Sequence, residues 1–506
     1  MLDEIIIKML VATWRICKWF ILQIFLFYGM PYLWQNHYNT ETIVLILLYT
    51  VSYSIYWECV PNEKKPYWLL CPYFIYSTIA VILCSSIETW KASIWFSLLL
   101  PLYGALCVLI TQICRRYFRQ IRKKHRFGWI ITYIIFAVFL VTLKTICVSW
   151  ECSKQGAIGN EKEDILARKN YLLDKLIATP QDVLDEMPTS IGTQFQGEWA
   201  LYSCSMLSAA LVDISKLYPE TKKENLQHID SLIKIVMSPE LRYYDKMRWY
   251  EDPLETLDGD VSHISYLSHL AWMICGYKQI GGNSQYDKLL SSLCRTMNRR
   301  ILSNSSLNLP TYPGESIYIP DMLVSIVALN QYADLNKGKY RNTVKKWVKR
   351  AQKEWIDEKT GLLVSFLKED GTQYDRVPVK GSYSALNCYY LTFIDRSFAR
   401  QQYDILKSLF WKDGVISGLK EYYDRTCYLG LDIDAGPIMF ELSPSGTAFI
   451  AGAATYFNDT TIRNDILTTA EIAGHTIRHN GKRHYLLANI ALVGESIMLA
   501  MRTHFK

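Results

Sequence analysis

The chain has 506 residues and 13 cysteines, yet Cys204, Cys275, Cys294, Cys388 and Cys427 form no CxxC pair and have no histidine at ligand spacing. That excludes a thiolate zinc site, and five scattered thiols are the wrong number for a disulfide framework. Six more (Cys59, Cys71, Cys84, Cys107, Cys114 and Cys147) lie in or at the ends of apolar runs, so the thiols read as small buried hydrophobes. A basic stripe is also missing. The formal net charge is +7, but much of it comes from the single run 115–126, which excludes nucleic acid as a partner. No repeat recurs at a short fixed period, so TPR-like arrays are excluded. No motif calls for a metal or a cofactor.

Five apolar segments are present, at about 14–35, 42–60, 67–87, 93–114 and 127–149. Each is close to the roughly 20 residues that a membrane-spanning helix needs. Arg115-Arg116-Tyr-Phe-Arg119-Gln-Ile-Arg122-Lys123-Lys124-His-Arg126 places seven cations in twelve residues between the last two. Such a loop stays in the cytoplasm, and this fixes the sidedness of the chain. Lys8, Arg15 and Lys18 at the start and Lys64 and Lys65 in the second loop fall on the same side. The first loop carries no Lys or Arg, and the third carries only Lys91. Trp14, Trp34, Trp68, Trp90 and Trp150 gather at segment ends, as an interfacial belt does. The first segment is too long for a signal peptide and is followed by no small-residue cleavage site. Glu58 and Lys144 lie near segment ends, where they can snorkel, and no acid sits at a midplane. The bundle therefore reads as an anchor rather than a transporter. The expected location is the cytoplasmic membrane, multi-pass, with the N-terminus inside, the C-terminal domain outside and the lipid bilayer as partner.

From 161 to 505 apolar residues recur at helical spacing in about twelve stretches, separated by Gly, Pro, Asn and Asp. One β-hairpin is expected, Leu362–Leu367 pairing with 373–379 across Glu369-Asp-Gly371. An even number of antiparallel helix pairs points to a toroid, an inner ring of helices inside an outer one. The expected fold class is all-α: about five transmembrane helices, then an (α/α)6-toroid with a small hairpin. The expected domains are 1–150 in the membrane, 151–190 as a connecting segment with the first helix, and 191–506 as the barrel.

Three loops place carboxylates beside Pro/Gly turns and aromatics: Trp249-Tyr-Glu-Asp252-Pro, Tyr312-Pro-Gly-Glu315-Ser-Ile-Tyr318-Ile-Pro-Asp321, and Asp432-Ile-Asp434-Ala-Gly-Pro437. Asp252 and Asp321 each precede a helical run and so also fit a helix N-cap. Carboxylates converging in an aromatic bowl suit sugar chemistry, in which one acid protonates the leaving oxygen and a second carboxylate serves as base or nucleophile. Glu315, Asp321, Asp432 and Asp434 are the catalytic candidates. Tyr312, Tyr318, Trp249 and Asp252 are the candidates for substrate contact.

At these loops the chain resembles the catalytic domain of linalool dehydratase/isomerase, an (α/α)6-barrel enzyme, collinearly from about 192 to 457. The resemblance is carried by Asp252-Pro253, Ser268-His269-Leu270, the 315–321 loop running into Val324–Leu329, Ile356–Leu362, and Leu431-Asp-Ile-Asp434-Ala-Gly followed by Ser445-Gly-Thr-Ala-Phe449. It implies an active-site role for His269; read alone, a lone helical histidine is as well explained as core. That family has two active-site cysteines in the loop matching 312–321, where this chain has Tyr312 and Asp321. The resemblance therefore bears on fold and site location more than on the reaction.

Three readings stay open at this point. One is a membrane-anchored, outward-facing hydrolase, lyase or epimerase acting on an envelope or extracellular glycan. Another is a hydro-lyase or isomerase of an isoprenoid or lipid-like alcohol. The third is a non-catalytic module that binds glycan or protein. A homo-oligomer is compatible with each.

Overall fold

The protein is described by a computed structural model over residues 158–187, 193–414, 416–432, 434–474, 476–485, 488 and 491–506. The expected membrane bundle lies outside the described residues. The described part is mainly helical with small antiparallel sheets.

Two kinds of helix alternate along the chain. Those of the first kind are apolar all round: α3 (Thr193–Leu217), α6 (Ile264–Gln279), α8 (Ile319–Leu335), α10 (Gly381–Thr392), α12 (Pro444–Tyr456) and α14 (Leu492–Thr503). Every residue of α8 from Ile319 to Ala333 is buried, as is every residue of α10. A helix without a polar face has to be covered on all sides. Each of the six packs on the next, and α14 returns onto α3, so they close a ring. α3 is long and apolar enough to cross a membrane, but here it is a wall of that ring.

Helices of the second kind are amphipathic and lie outside: α1 (Ile158–Leu176), α4 (Lys222–Val236), α7 (Asp287–Ser303), α9 (Arg341–Glu354), α11 (Arg396–Phe410) and α13 (Thr460–Gly474). In α11, Phe398, Gln402, Tyr403, Leu406 and Phe410 form the buried stripe, while Arg400 and Asp404 pair on the outer face. α1 packs on α14 and α3, so the helix expected within a connecting segment is a full member of the outer ring. Two short helices outside the twelve are α2 (Pro180–Asp185) and α5 (Pro239–Trp249). Both start at a capping hydroxyl followed by proline, Thr179-Pro180 and Ser238-Pro239, a helix-start signal.

Inner and outer helices alternate as antiparallel neighbours, so the inner helices share one direction and their N-termini gather at one mouth. The approach is close there. A Cβ on Gly381, the first residue of α10, would lie 2.0 Å from the carbonyl oxygen of Lys420.

The expected hairpin is corrected. Its turn forms, with Gly371 at φ +80 and its N–H bonded to the Lys368 carbonyl at 2.8 Å, but only Leu367 bridges Gln373. Strand β2 (Phe366–Leu367) pairs instead with β1 (Ile317–Tyr318). The apolar Leu362, Leu363 and Leu367 are covered by the protein, which a solvent-exposed hairpin would not achieve. Further pairs are β3 (Trp411–Lys412) with β4 (Gly418–Leu419), β5 (Leu429–Asp432) with β6 (Gly436–Met439), and β7 (Thr476–His479) with β8 (Lys482–Tyr485). The last pair lies mostly between the stretches 461–477 and 485–503 expected to be helical, and the final helix starts at Leu492 rather than at 485.

Candidate active site

The N-terminal mouth of the ring collects charge that its apolar helices cannot otherwise hold. α3 presents Glu198 and Tyr202 on one face, four residues apart and hence one above the other. Asp321 sits in the first turn of α8, yet its carboxyl is not a helix cap. Tyr202 donates to Oδ1 and Thr311 to Oδ2, both at 2.8 Å. Arg248, at the end of α5, lies 3.8 Å from Glu198 Oε2 and 3.5 Å from Glu315 Oε1, with its guanidinium 3.5 Å from the Tyr312 ring centre. Tyr318 donates to Glu315 Oε2 at 3.3 Å. Tyr318, Phe366 and Tyr383 meet edge to face at 5.1–6.1 Å and line one side.

Burial sets the protonation of this group. Desolvation pushes the Glu198 carboxyl up to about 7, helped by the negative field of Asp321 and opposed by Arg248 and by Tyr312. The Tyr312 hydroxyl approaches that carboxyl without reaching hydrogen-bond geometry, so neither it nor Glu198 Oε2 makes a hydrogen bond, and Oε2 has only the long ion pair to Arg248. Desolvation also raises Asp321, against the two hydroxyls that donate to it, with Asp434 and Glu315 adding to the rise. With a value of about 7, Glu198 is close to half protonated at neutrality. His269 Nε2 and the Tyr390 hydroxyl are likewise buried without a partner. Buried polar atoms of this kind have hydrogen-bonding capacity that a bound molecule can satisfy.

A consequence for stability follows. The folded-state pKa of Glu198 lies above its ordinary 4.5, so its favourable contribution is complete below about pH 4.5 and is lost as pH rises through about 7. Buried Glu421, whose carboxyl accepts from Ser382 N and Oγ, is raised to about 7 by desolvation and acts in the same direction. Glu198→Gln removes one such acid. It should gain on the parent chain by about 2–3 kcal/mol between pH 5 and pH 8 in denaturant titrations. A difference that does not change with pH would refute the assignment.

Asp432 and Asp434 reach the same mouth on the β5–β6 hairpin, and both are bound by a residue that the loop pattern did not single out. Lys380 lies 2.8 Å from Asp432 and 3.3 Å from Asp434. Asp432 also accepts from the N–H groups of Asp434 and Ala435, closing its own turn. Despite its burial, the Lys380 ammonium and these amides hold it below the usual carboxylate range. Asp434 is the member of the pair whose field reaches Asp321, Glu198 and Tyr383.

The remaining candidates are placed differently. His269 is fully buried behind Tyr202, ring centres 4.3 Å apart, with Nδ1 2.8 Å from Ser205 Oγ. Burial lowers its pKa to about 3, so it is neutral. Asp252 does not join the carboxylates. One oxygen takes Arg242 Nε at 2.9 Å and the other the Leu254 N–H at 3.0 Å, so it serves the loop after α5. Trp249 stands edge-on to His263, which is bonded to buried Asp245 at 2.5 Å. The pattern passed over Glu198, Tyr202, Arg248 and Lys380. The signal for Glu198 was an acid inside the apolar run Phe195–Cys204; the others carried none. Among the described residues no group of three His, Cys, Asp or Glu side chains is arranged to hold a metal ion.

No family model matches the chain, and no curated protein matches it. Among solved structures it is similar to a glycoside hydrolase of family 105 from C. acetobutylicum ATCC 824. The TM-score is 0.43 with 13% identity, over 59% of this chain and 93% of that one. A likeness at that level carries neither fold nor chemistry across.

Proposed function

We propose that the protein is a membrane-anchored enzyme that acts on an envelope or extracellular glycan through paired carboxyls at the mouth of its helical ring. The observation that carries this reading is the pair Glu198 and Asp321, two buried acids in a tyrosine-lined site, both raised by desolvation and with the field of Asp321 adding to the rise of Glu198. Glu198 keeps its proton up to about pH 7 and would give it to the leaving glycosidic oxygen. Asp321, oriented by Tyr202 and Thr311, would take the proton of the attacking water. Arg248 holds Glu315 against Tyr318 and limits how far Glu198 is driven up. Faces of Tyr312, Tyr318 and Tyr383 would stack on sugar rings.

The test is turnover of a panel of envelope oligosaccharides by the full chain and by Glu198→Gln. Product from the parent chain, with a loss of about 10²–10⁴-fold in the variant, supports the reading. Activity that survives the substitution removes Glu198 from the acid role. A second reading draws on neutral His269 beside Tyr202 and Trp272, together with the resemblance to linalool dehydratase/isomerase: a hydro-lyase or isomerase of an isoprenoid alcohol. Turnover of such an alcohol with no product from any oligosaccharide would favour it.

The anchoring part of the proposal places residues 1–150 in the cytoplasmic membrane and the ring outside. A reporter fused after Lys506 should then be active only outside the cytoplasm, and one inserted at Lys123 only inside. The reverse pattern would overturn the location and the choice of an external substrate.

A further inference from the structure

Weighed over the whole chain the charge forms no stripe, yet one outer helix concentrates it. Residues 337–353, the turn after α8 and nearly all of α9, hold eight cations and no acid. The two arginines are engaged by the acids that bound the run, Arg341 by Asp334 and Arg350 by Glu354. The other six cations, Lys337, Lys339, Lys345, Lys346, Lys349 and Lys353, are exposed. Among the described residues none of the six forms an ion pair.

The fold fixes this array. Thr343, Val344, Trp347, Val348 and Ala351 are the buried stripe of α9, so Lys345, Lys349 and Lys353 stand in a row on the outer face, about 6 Å apart. Lys346 runs alongside them. Lys337 and Lys339 are held at the start of the row by a turn in which the N–H groups of Gly338 and Lys339 donate to the Ala333 and Asn336 carbonyls at 2.8 and 3.0 Å. Thr343 Oγ1 donates to Asn298 Oδ1 at 2.6 Å and ties α9 to α7, which adds exposed Lys288 and Arg295. The one acid of α7, Asp287, is paired with Lys278. Like charges at i, i+4 disfavour a helix, and a face serving solubility alone would alternate signs, as Arg400 and Asp404 do on α11. Acids return only past the helix, at Asp357, Glu358, Glu369 and Asp370, so the surplus belongs to α9 and its leading turn.

We propose that the outer face of α9, with its neighbour α7, is a docking surface for an anionic polysaccharide. A row of ammonium groups complements a chain that carries charge at intervals along its length, whereas a single anion would use one or two of them. Lysine offers hydrated point charges on flexible stems, which suit a mobile polymer better than the planar fork that arginine presents to one fixed group. The face also lacks what other partners need. Trp347 and Trp355 are buried and Tyr340 is stacked on Tyr332, so no open ring is offered to the bases of a nucleic acid. The apolar stripe of α9 faces the ring, which leaves none to insert into a lipid leaflet. A protein partner would find only Leu302 and Leu335 as large exposed apolar groups nearby, too few for the centre of an interface. The choice of a glycan as the polymer rests on the function proposed above; the basic face itself does not.

The test is fluorescence anisotropy on the full chain in phosphatidylcholine nanodiscs, with labelled oligogalacturonate, phosphorylated dextran and neutral dextran as probes. At least one charged probe should bind, with an affinity that falls as salt is raised, and neutral dextran should not. The run 115–126 also attracts polyanions, so the readout is what substitutions on α9 remove. Replacing Lys345, Lys346, Lys349 and Lys353 together by Gln should weaken binding about tenfold or more and leave the melting temperature unchanged. Glu198→Gln should bind as the parent does. A fourfold variant that binds as tightly as the parent, or a parent that binds neither charged probe, overturns the proposal. So does a parent that binds neither probe but loses duplex DNA or phosphatidylglycerol vesicles on the same substitutions. Binding at α9 with no product from any oligosaccharide would remove the enzymatic reading and leave this surface standing, and product without such binding would do the reverse.

Discussion

Asp321→Asn is expected to lower turnover by about 10³-fold or more while leaving the melting temperature nearly unchanged. The two expectations separate because the substitution is close to isosteric. Tyr202 and Thr311 donate to the two carboxylate oxygens of Asp321, one to each. The amide of Asn still accepts one of these bonds, and the other hydroxyl can turn to accept from its NH₂. The fold therefore loses little, and it is relieved of a buried carboxylate that desolvation already disfavours. The chemistry loses its base, because an amide takes no proton from water. The field of Asp321 is also one of the causes that raise Glu198, so the alkaline limb in the pH dependence of the variant's residual rate should move to lower pH. A purely structural Asp321 gives the opposite pattern, with activity spared and the melting point down by several degrees.

How much of this could be read from the sequence depended on whether a feature was local. The inner helices were legible because a helix buried on every side leaves an unbroken apolar run, as 319–333 does. The outer ones were legible from stripes such as Phe398–Phe410. Sheet pairing was not, because Ile317 finds Leu367 across 50 residues and no turn signal spans such a gap. The loop 312–321 could be picked out since aromatics, proline and carboxylates crowd together there, and Glu315, Tyr318 and Asp321 do share the mouth with Glu198. Asp252 looked the same on paper, but its partner Arg242 lies on the preceding helix. Lys380 and Arg248 are ordinary surface-type residues in the sequence, and only the closing of the ring brings them to the carboxylates.

That closing depends on charges no periodicity argument weighs, and Glu161→Ala should destabilise the ring by about 3–5 kcal/mol. Glu161 and Asp164 lie on α1, Arg463 on α13, and Glu495 and Arg502 on α14, so the first and last helices meet in one buried cluster. Glu161 takes Arg463 at 2.6 Å and Arg502 at 3.1 Å; Asp164 takes Arg502 at 2.6 Å and Arg168 at 3.0 Å; Glu495 takes Arg168 at 2.9 Å. Among the described residues three carboxylates face three guanidiniums with almost no solvent access, where an unpaired ion would be costly. Removing Glu161 leaves two buried guanidiniums short of a partner. The lost stability should appear as a melting point lower by roughly 4–7 °C. The balanced replacement Glu161→Met with Arg463→Met should cost less than Glu161→Ala alone, since well-packed apolar groups often substitute for a buried pair at little loss. If the single variant loses under about 1 kcal/mol, water reaches the cluster and the ring is closed by apolar packing of α14 on α3 alone.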